Sequence, residues 1–179
     1  RRIGRLAPNV SLTADAARFL PGLLGGSAPR HYFVALVTPS ETRDIGGHMG
    51  NWAEVSATDG RFDVVRSGRT ELLGPQAVAG RVLHDPDTYP TSYVSARPAL
   101  FPQNWGATAD LRTVARAVTD LYPQSGGEPI DGVAVVDPYG FAALLKLTGP
   151  VSASGGPILD STNAAKFLLE DQYTAFPDE

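Results

Sequence analysis

The segment Ile130 to Val151, IDGVAVVDPYGFAALLKLTGPV, restricts the fold more than any other stretch of this chain. Ile130, Val133, Ala134, Val135 and Val136 make a β-branched-rich apolar run, the pattern expected of a central strand covered on both faces. Asp137 is placed to cap a helix and Pro138 to occupy its first position, because a proline has no N–H to waste there. Phe141, Ala142, Leu144 and Leu145 supply the apolar stripe of that helix, and Thr148-Gly149-Pro150 ends it. Strand, acidic turn and helix are one layer of an α/β domain with a mixed central sheet flanked by helices. The layer puts a carboxylate, Asp137, at the mouth of the sheet.

The rest of the chain supplies partners for that layer. Ser11 to Leu24 reads as a short helix capped by Ser11 or Thr13 and broken at Pro21-Gly22, followed by a turn from Gly25 to Pro29. His31 to Val37, HYFVALV, is a strand. Asn51 to Thr58 is a second, and Asp59-Gly60 turns it back antiparallel into Phe62 to Val65. Thr108 to Tyr122 repeats Leu111, Val114, Ala115, Val118 and Leu121 at helical spacing behind Asp110, and a last helix starts at Asp160 or Ser161. Gly74 to Pro102 has no sustained period and is expected to be a long surface excursion, with a short strand or helix near Ala77 to Leu83. At 179 residues the whole is expected to be one domain.

Composition narrows the chemistry. With no cysteine there are no disulfides, zinc-thiolate sites or thiol nucleophiles. A net charge of −4 and a pI of 5.3 argue against a nucleic-acid partner, which calls for a basic surface. No phosphate loop, GxGxxG, GxSxG or HExxH motif occurs, so the common ATPase, dehydrogenase, lipase and zincin readings lose their support. His31, His48 and His84 lack ligand-like spacing and read as surface or loop residues. No run is long and apolar enough to span a membrane, and the chain opens at Arg1 without a methionine or a signal peptide. The expectation is a piece of a longer protein whose anchor lies outside this sequence.

One polar constellation remains. The loop Thr38 to Gly50, TPSETRDIGGHMG, carries Glu41, Arg43, Gly46 and Gly47 at the end of a strand, where α/β proteins bind ligands. An arginine and free backbone N–H groups there would suit an anion. Alternatively Glu41 and Arg43 pair with each other and the glycines only permit the turn. Arg66 and Arg69 follow the hairpin and can add positive charge at the same end, while Asp131 and Asp137 bracket the Ile130 strand. The candidate ligand-binding set is therefore Glu41, Arg43, Gly46, Gly47, Arg69, Asp131 and Asp137.

These blocks carry a resemblance. The run PRHYFVALVTPSETRDIGGHMGNWAEVSATDGRF resembles the opening of a bacterial envelope family, domain of unknown function four-zero-one-two. Tyr32, Glu41, Arg43, Gly46, Gly47 and Gly50 match its pattern, and Thr42, His48 and Asn51 stand where the family has leucine, phenylalanine and serine. Asn104-Trp105, Asp131-Gly132-Val133, Val136-Asp137-Pro138, Leu145, Thr148-Gly149-Pro150-Val151 and Asn163 extend the match, so that it covers Leu23 to Phe176. That family is similar, more distantly, to the LytR-CpsA-Psr glycopolymer transferases, which work outside the cell membrane. They hold a polyprenyl pyrophosphate with arginines and magnesium with acidic groups. Arg43 and Arg69 fall where transferase arginines lie, but the magnesium aspartate falls near Gly46-Gly47 and the last helix, AAKFLLEDQY, has no arginine.

The resemblance implies a LytR-CpsA-Psr-like fold, an extracytoplasmic location, and a membrane link only through an external anchor. Three functions follow as expectations. The first is an envelope domain binding an anionic or polyprenyl-phosphate-type ligand, a glycopolymer or an envelope protein. The second is a magnesium-dependent phosphotransferase attaching glycopolymers to the wall. The third is a structural or assembly module with no site. The binding domain is placed ahead of the transferase.

Overall fold

In the computed structural model, residues 17–74, 79–153 and 155–176 are described. A mixed four-stranded sheet organises them. Its order is β3-β2-β1-β4, built from β1 (Arg30–Thr38), β2 (His48–Thr58), β3 (Arg61–Arg69) and β4 (Gly132–Val136). β1 pairs antiparallel with β2 and parallel with β4, and β2 pairs antiparallel with β3. The β2–β3 hairpin turns on Asp59-Gly60 with both residues at positive φ, 50° and 79°, the conformation such tight turns require. The α/β class and the mixed sheet are as expected.

The Ile130 segment departs from expectation in one respect. Among the described residues β4 is an edge strand, not a central one, and Ala134 on it is exposed. Its apolar run serves a single buried face, where Val133 and Val135 pack against the core. The helix that follows, α4 (Pro138–Thr148), is as read: the Asp137 side chain accepts from the Gly140 N–H at 2.6 Å, Pro138 is in the first turn, and Gly149 closes the end.

Alternation along the strands sends Phe33, Ala35, Val37, Met49 and Trp52 to one face of the sheet, where α3 (Leu111–Leu121) covers them with Val114, Ala117, Val118 and Leu121. Asp110 caps α3 by accepting from the N–H groups of Arg112 and Thr113. Phe33 stacks on Trp52 and meets Trp105 and Tyr122 edge-on or tilted, with ring centroids 5.0 to 6.0 Å apart. Such aromatic contacts are worth about 0.5–1.5 kcal/mol each beyond burial.

Residues 79–102 are largely exposed, as expected of a surface excursion, but are anchored at a few buried points. Short helix α2 (Thr91–Ser95) delivers Tyr93 into this core, fully buried, and its hydroxyl donates to the Trp105 carbonyl at 2.9 Å. Arg81, buried beside the Trp105 ring, donates to the carbonyls of Leu73 and Ala99 and to Ser125 Oγ, stitching the segment down. The chain here folds through side-chain anchors, which leave no period in the sequence. Residues 79–83 form no helix or strand, and Ala77 with its neighbours 75–78 lies outside the described residues.

At the start, residues 17–23 are helical, α1, and run through Pro21-Gly22. The break comes at Gly25, where Gly26 N–H bonds to the Pro21 carbonyl and Gly25 N–H to that of Gly22, the double closure of a left-handed helix end. The proposed caps Ser11 and Thr13 lie outside the described residues. At the other end a short hairpin, β5 (Val151–Ser152) with β6 (Ile158–Leu159), was not foreseen. The last helix starts at Ala164, three to four residues beyond the Asp160 or Ser161 expected. Asp160 instead accepts from Thr162 N–H, Thr162 Oγ1 and Asn163 N–H, building the turn before it. The helix continues from Ala164–Lys166 through a π-helical stretch, Phe167–Asp171, into Gln172–Ala175. α4, the small hairpin and this helix share a second core of Ala142, Leu145, Leu159, Ala164 and Phe167.

Candidate functional site

β1 and β4 run parallel, and their C-terminal ends open at one edge of the sheet, together with the start of β2 and the end of β3. Pairing register lines up Arg69, Asn51, Leu36 and Val136 as one row across the four strands, on the face opposite the aromatic core. Gly50 interrupts the β1–β2 ladder there, so that Leu36 pairs with Asn51 but Val37 with Met49. A bulge of this kind bends a strand and re-aims its side chains, and bulges concentrate at functional edges.

Between this sheet edge and the second core lies a groove of about 550 Å³. That volume falls within the roughly 300–1,000 Å³ of small-molecule sites. Its apolar wall is formed by Leu36, Phe141, Val151, Leu159, Leu168 and Tyr173, from the sheet, α4, the hairpin and the last helix. Its polar lining is Thr38, Glu41, His48, Asn51 and Asp137 around the strand ends, with Gln172 on the last helix. A smaller cleft of about 470 Å³, lined by Ile45, Gly46, Gly140 and Leu144, shares Val37, Val136 and Asp137 with it, so Asp137 stands where the two meet.

The loop from Pro39 to Gly47 is shaped by its glycines. Gly47 has φ 141°, and a side chain there would drive a Cβ to 2.1 Å from the Thr38 carbonyl oxygen, so only glycine fits. The Gly46 N–H, one of the groups expected to be free for an anion, donates to the Arg43 carbonyl at 3.3 Å. Glu41 and Arg43 do not pair. Arg43 donates to Asn104 Oδ1 at 3.2 Å, and Glu41 Oε2 lies 4.0 Å from His48 Nδ1.

Of the expected set, Glu41 and Asp137 line the groove, Gly46 lines the adjoining cleft, Gly47 fixes the loop, and Arg69 lies in the cross-sheet row beside Asn51. Arg43 is on the loop but turned to Asn104. Asp131 is at the opposite end of β4, about 20 Å away at six residues of strand. There it accepts from Arg30 at 2.6 Å and from the His31 backbone N–H at 2.9 Å. That N–H, with Arg30 beside it, holds the Asp131 carboxyl below the usual range. Arg66 does not join the arginine end either: it stacks on Trp52 and donates to the Gly126 carbonyl.

His48, expected at the surface or in a loop, opens β2 and lines the groove, and its Nδ1 is buried without a hydrogen-bond partner. Glu54 was overlooked. It is fully buried, its Oε2 accepting from Tyr122 OH at 2.6 Å and its Oε1 from His31 Nδ1 at 3.2 Å. Burial, then the bond to Glu54, pushes the Tyr122 phenol well above its ordinary range. The signal was in the alternation, which sets Glu54 on the same face as Trp52. For magnesium, no three acidic or histidine side chains come close enough to hold an ion among the described residues.

No curated protein and no solved structure matches this chain. A family model does, over residues 27–173, a span that includes the loop, the sheet and the whole of the groove wall. The chain belongs to the family described as Protein of unknown function (DUF4012).

Proposed function

We propose that this chain is an extracytoplasmic cell-envelope domain that binds an amphiphilic envelope ligand in the groove at the C-terminal ends of β1 and β4. The observation that carries the reading is the lining of that groove: an apolar wall from four separate elements, with most of the polar groups at the strand ends. A lipid-linked glycan, or another envelope molecule with a long apolar chain, has that division of character. The location rests on the resemblance to envelope proteins, as does the LytR-CpsA-Psr-like fold, for which the strand, acidic turn and helix at 130–151 are the main support. A shared fold does not carry activity with it, so the groove has to make the case.

A second reading is a LytR-CpsA-Psr-like phosphotransferase. The apolar groove beside the Arg69 end of the cross-sheet row supports it, since a polyprenyl chain needs such a wall and a pyrophosphate needs a guanidinium. Against it stand Arg43, bonded to Asn104, and a polar end whose residues do not fit a magnesium ion. No step is therefore drawn through that metal.

Titrating the ¹⁵N-labelled chain with farnesol, a neutral apolar chain with one hydroxyl, tests the binding reading. Amide shifts should concentrate at Leu36, Val37, His48, Asn51, Phe141, Leu168 and Tyr173. An absence of saturable shifts, or shifts centred on the β2–β3 hairpin around Phe62 and Val64, would refute it.

A further inference from the structure

The polar end of the groove is rich in acceptors. Glu41 and Asp137 bring two carboxylates, Thr38 and Asn51 bring a hydroxyl and an amide, and neither arginine nor lysine lines the groove among the described residues. Asp137 spends Oδ1 on the Gly140 N–H, and no bond from its other oxygen is seen. The Glu41 side chain is 65% exposed and has His48 as its only ionic neighbour, at 4.0 Å. The His48 side chain is one-fifth exposed, with its Nδ1 4.0 Å from Glu41 Oε2. Tyr173, with its phenol, is the remaining titratable group on the groove wall.

A phosphate head placed among these groups would meet two carboxylates and no arginine or lysine in the lining. A hydroxyl-rich head would donate to the same acceptors with no charge to accommodate. Resting on the reading of the groove as the binding site, we propose that it selects a neutral, polyhydroxyl head, a sugar or polyol carried on an apolar chain, over a phosphate head on the same chain. Charge complementarity makes the choice, and His48 and Glu41 are the residues that read the hydroxyls.

The test compares dodecyl glucoside with dodecyl phosphate, each below its micellar concentration at neutral pH, by calorimetry and by displacement of the neutral apolar fluorophore N-phenyl-1-naphthylamine. Glucoside should bind about tenfold or more tighter than phosphate. Glu41→Gln and Asp137→Asn should narrow the gap by improving phosphate binding, and asparagine keeps the helix cap. His48→Leu should weaken glucoside and leave the fluorophore unaffected. Displacement of the fluorophore by phosphate as well as, or better than, by glucoside would overturn the head-group assignment while leaving the groove in place. Failure of both to displace a bound fluorophore would also overturn it, and a fluorophore that does not bind at all would remove the groove reading with it.

Discussion

The two faces of the sheet are built to different standards. On the α3 side, Phe33, Trp52, Trp105 and Tyr122 interlock, and most polar atoms beneath them have partners: Tyr93 with the Trp105 carbonyl, Tyr122 with Glu54, Trp105 Nε1 with the Pro98 carbonyl, with Arg81 Nη2 the exception. On the groove side, the second core is a handful of smaller side chains around Phe167, Leu36 is exposed, and His48 Nδ1 is buried unpaired. Dense packing with satisfied polar groups is what stability requires. An open apolar wall beside an exposed carboxylate such as Glu41 is what a ligand completes. The fold holds itself up on one face and leaves the other available.

Substitutions should divide along the same line. The largest loss is expected from Trp105→Ala, about 3–5 kcal/mol in urea unfolding, because the indole is fully buried among Phe33, Tyr93 and Arg81. A loss near zero would mean that the aromatic face is not the foundation of the fold. Glu54→Leu should cost about 1–3 kcal/mol, since it strands the Tyr122 hydroxyl and the His31 ring nitrogen that now donate to the carboxylate. Asp137→Ala should cost only about 1 kcal/mol, the worth of an N-cap, and Asp137→Asn much less. A larger loss at Asp137 would show that the groove edge is part of the foundation and would blur the contrast.

The smallest effects are in pH. Asp131 has a folded pKa held below its unfolded one, so its contribution is present above about pH 4 and is lost as pH falls through the lower folded value. His84 runs the other way: its hydrogen bond to Asp120 raises its pKa, so its contribution is complete below about pH 6.5 and is lost as pH rises through the raised value. Thermal unfolding of Asp131→Asn and His84→Gln across that range should show a shallower acid slope for the first and a shallower loss above neutrality for the second. Neither group touches the groove, so ligand affinity in these variants should be unchanged.

Locally coded features were the legible ones. Asp59-Gly60, Asp110 ahead of α3, and Asp137-Pro138 with Gly149 around α4 each satisfy or deny particular backbone groups, and each does so where the residues indicated. What stayed hidden depends on distant partners. The segment 79–102 is held by Arg81, which reaches the Leu73 carbonyl and the Ser125 hydroxyl, and by Tyr93 on the Trp105 carbonyl, and no periodicity marks such anchors. The edge position of β4 could not be seen because a run such as GVAVV suits one buried face as well as two. The lining of the candidate groove was partly legible: Glu41 and Asp137 came from loop and cap chemistry, but the wall residues Phe141, Leu168 and Tyr173 belong to elements brought together only by the fold. Asp131 looked like part of the same site because it flanks the same strand, and the length of that strand is what separates it from Asp137.

The most direct test of the division between the two faces is a fluorescence titration of N-phenyl-1-naphthylamine into the parent chain and three variants. Leu36→Asp and Tyr173→Asp place a charge on the groove wall at residues exposed enough for the fold to tolerate it, and Val64→Asp does the same at an exposed site on the hairpin. The account predicts saturable binding that both groove variants abolish and Val64→Asp leaves intact, with unfolding free energies within about 0.5 kcal/mol of the parent. Binding that survives both groove substitutions, or that is lost with Val64→Asp, would contradict it.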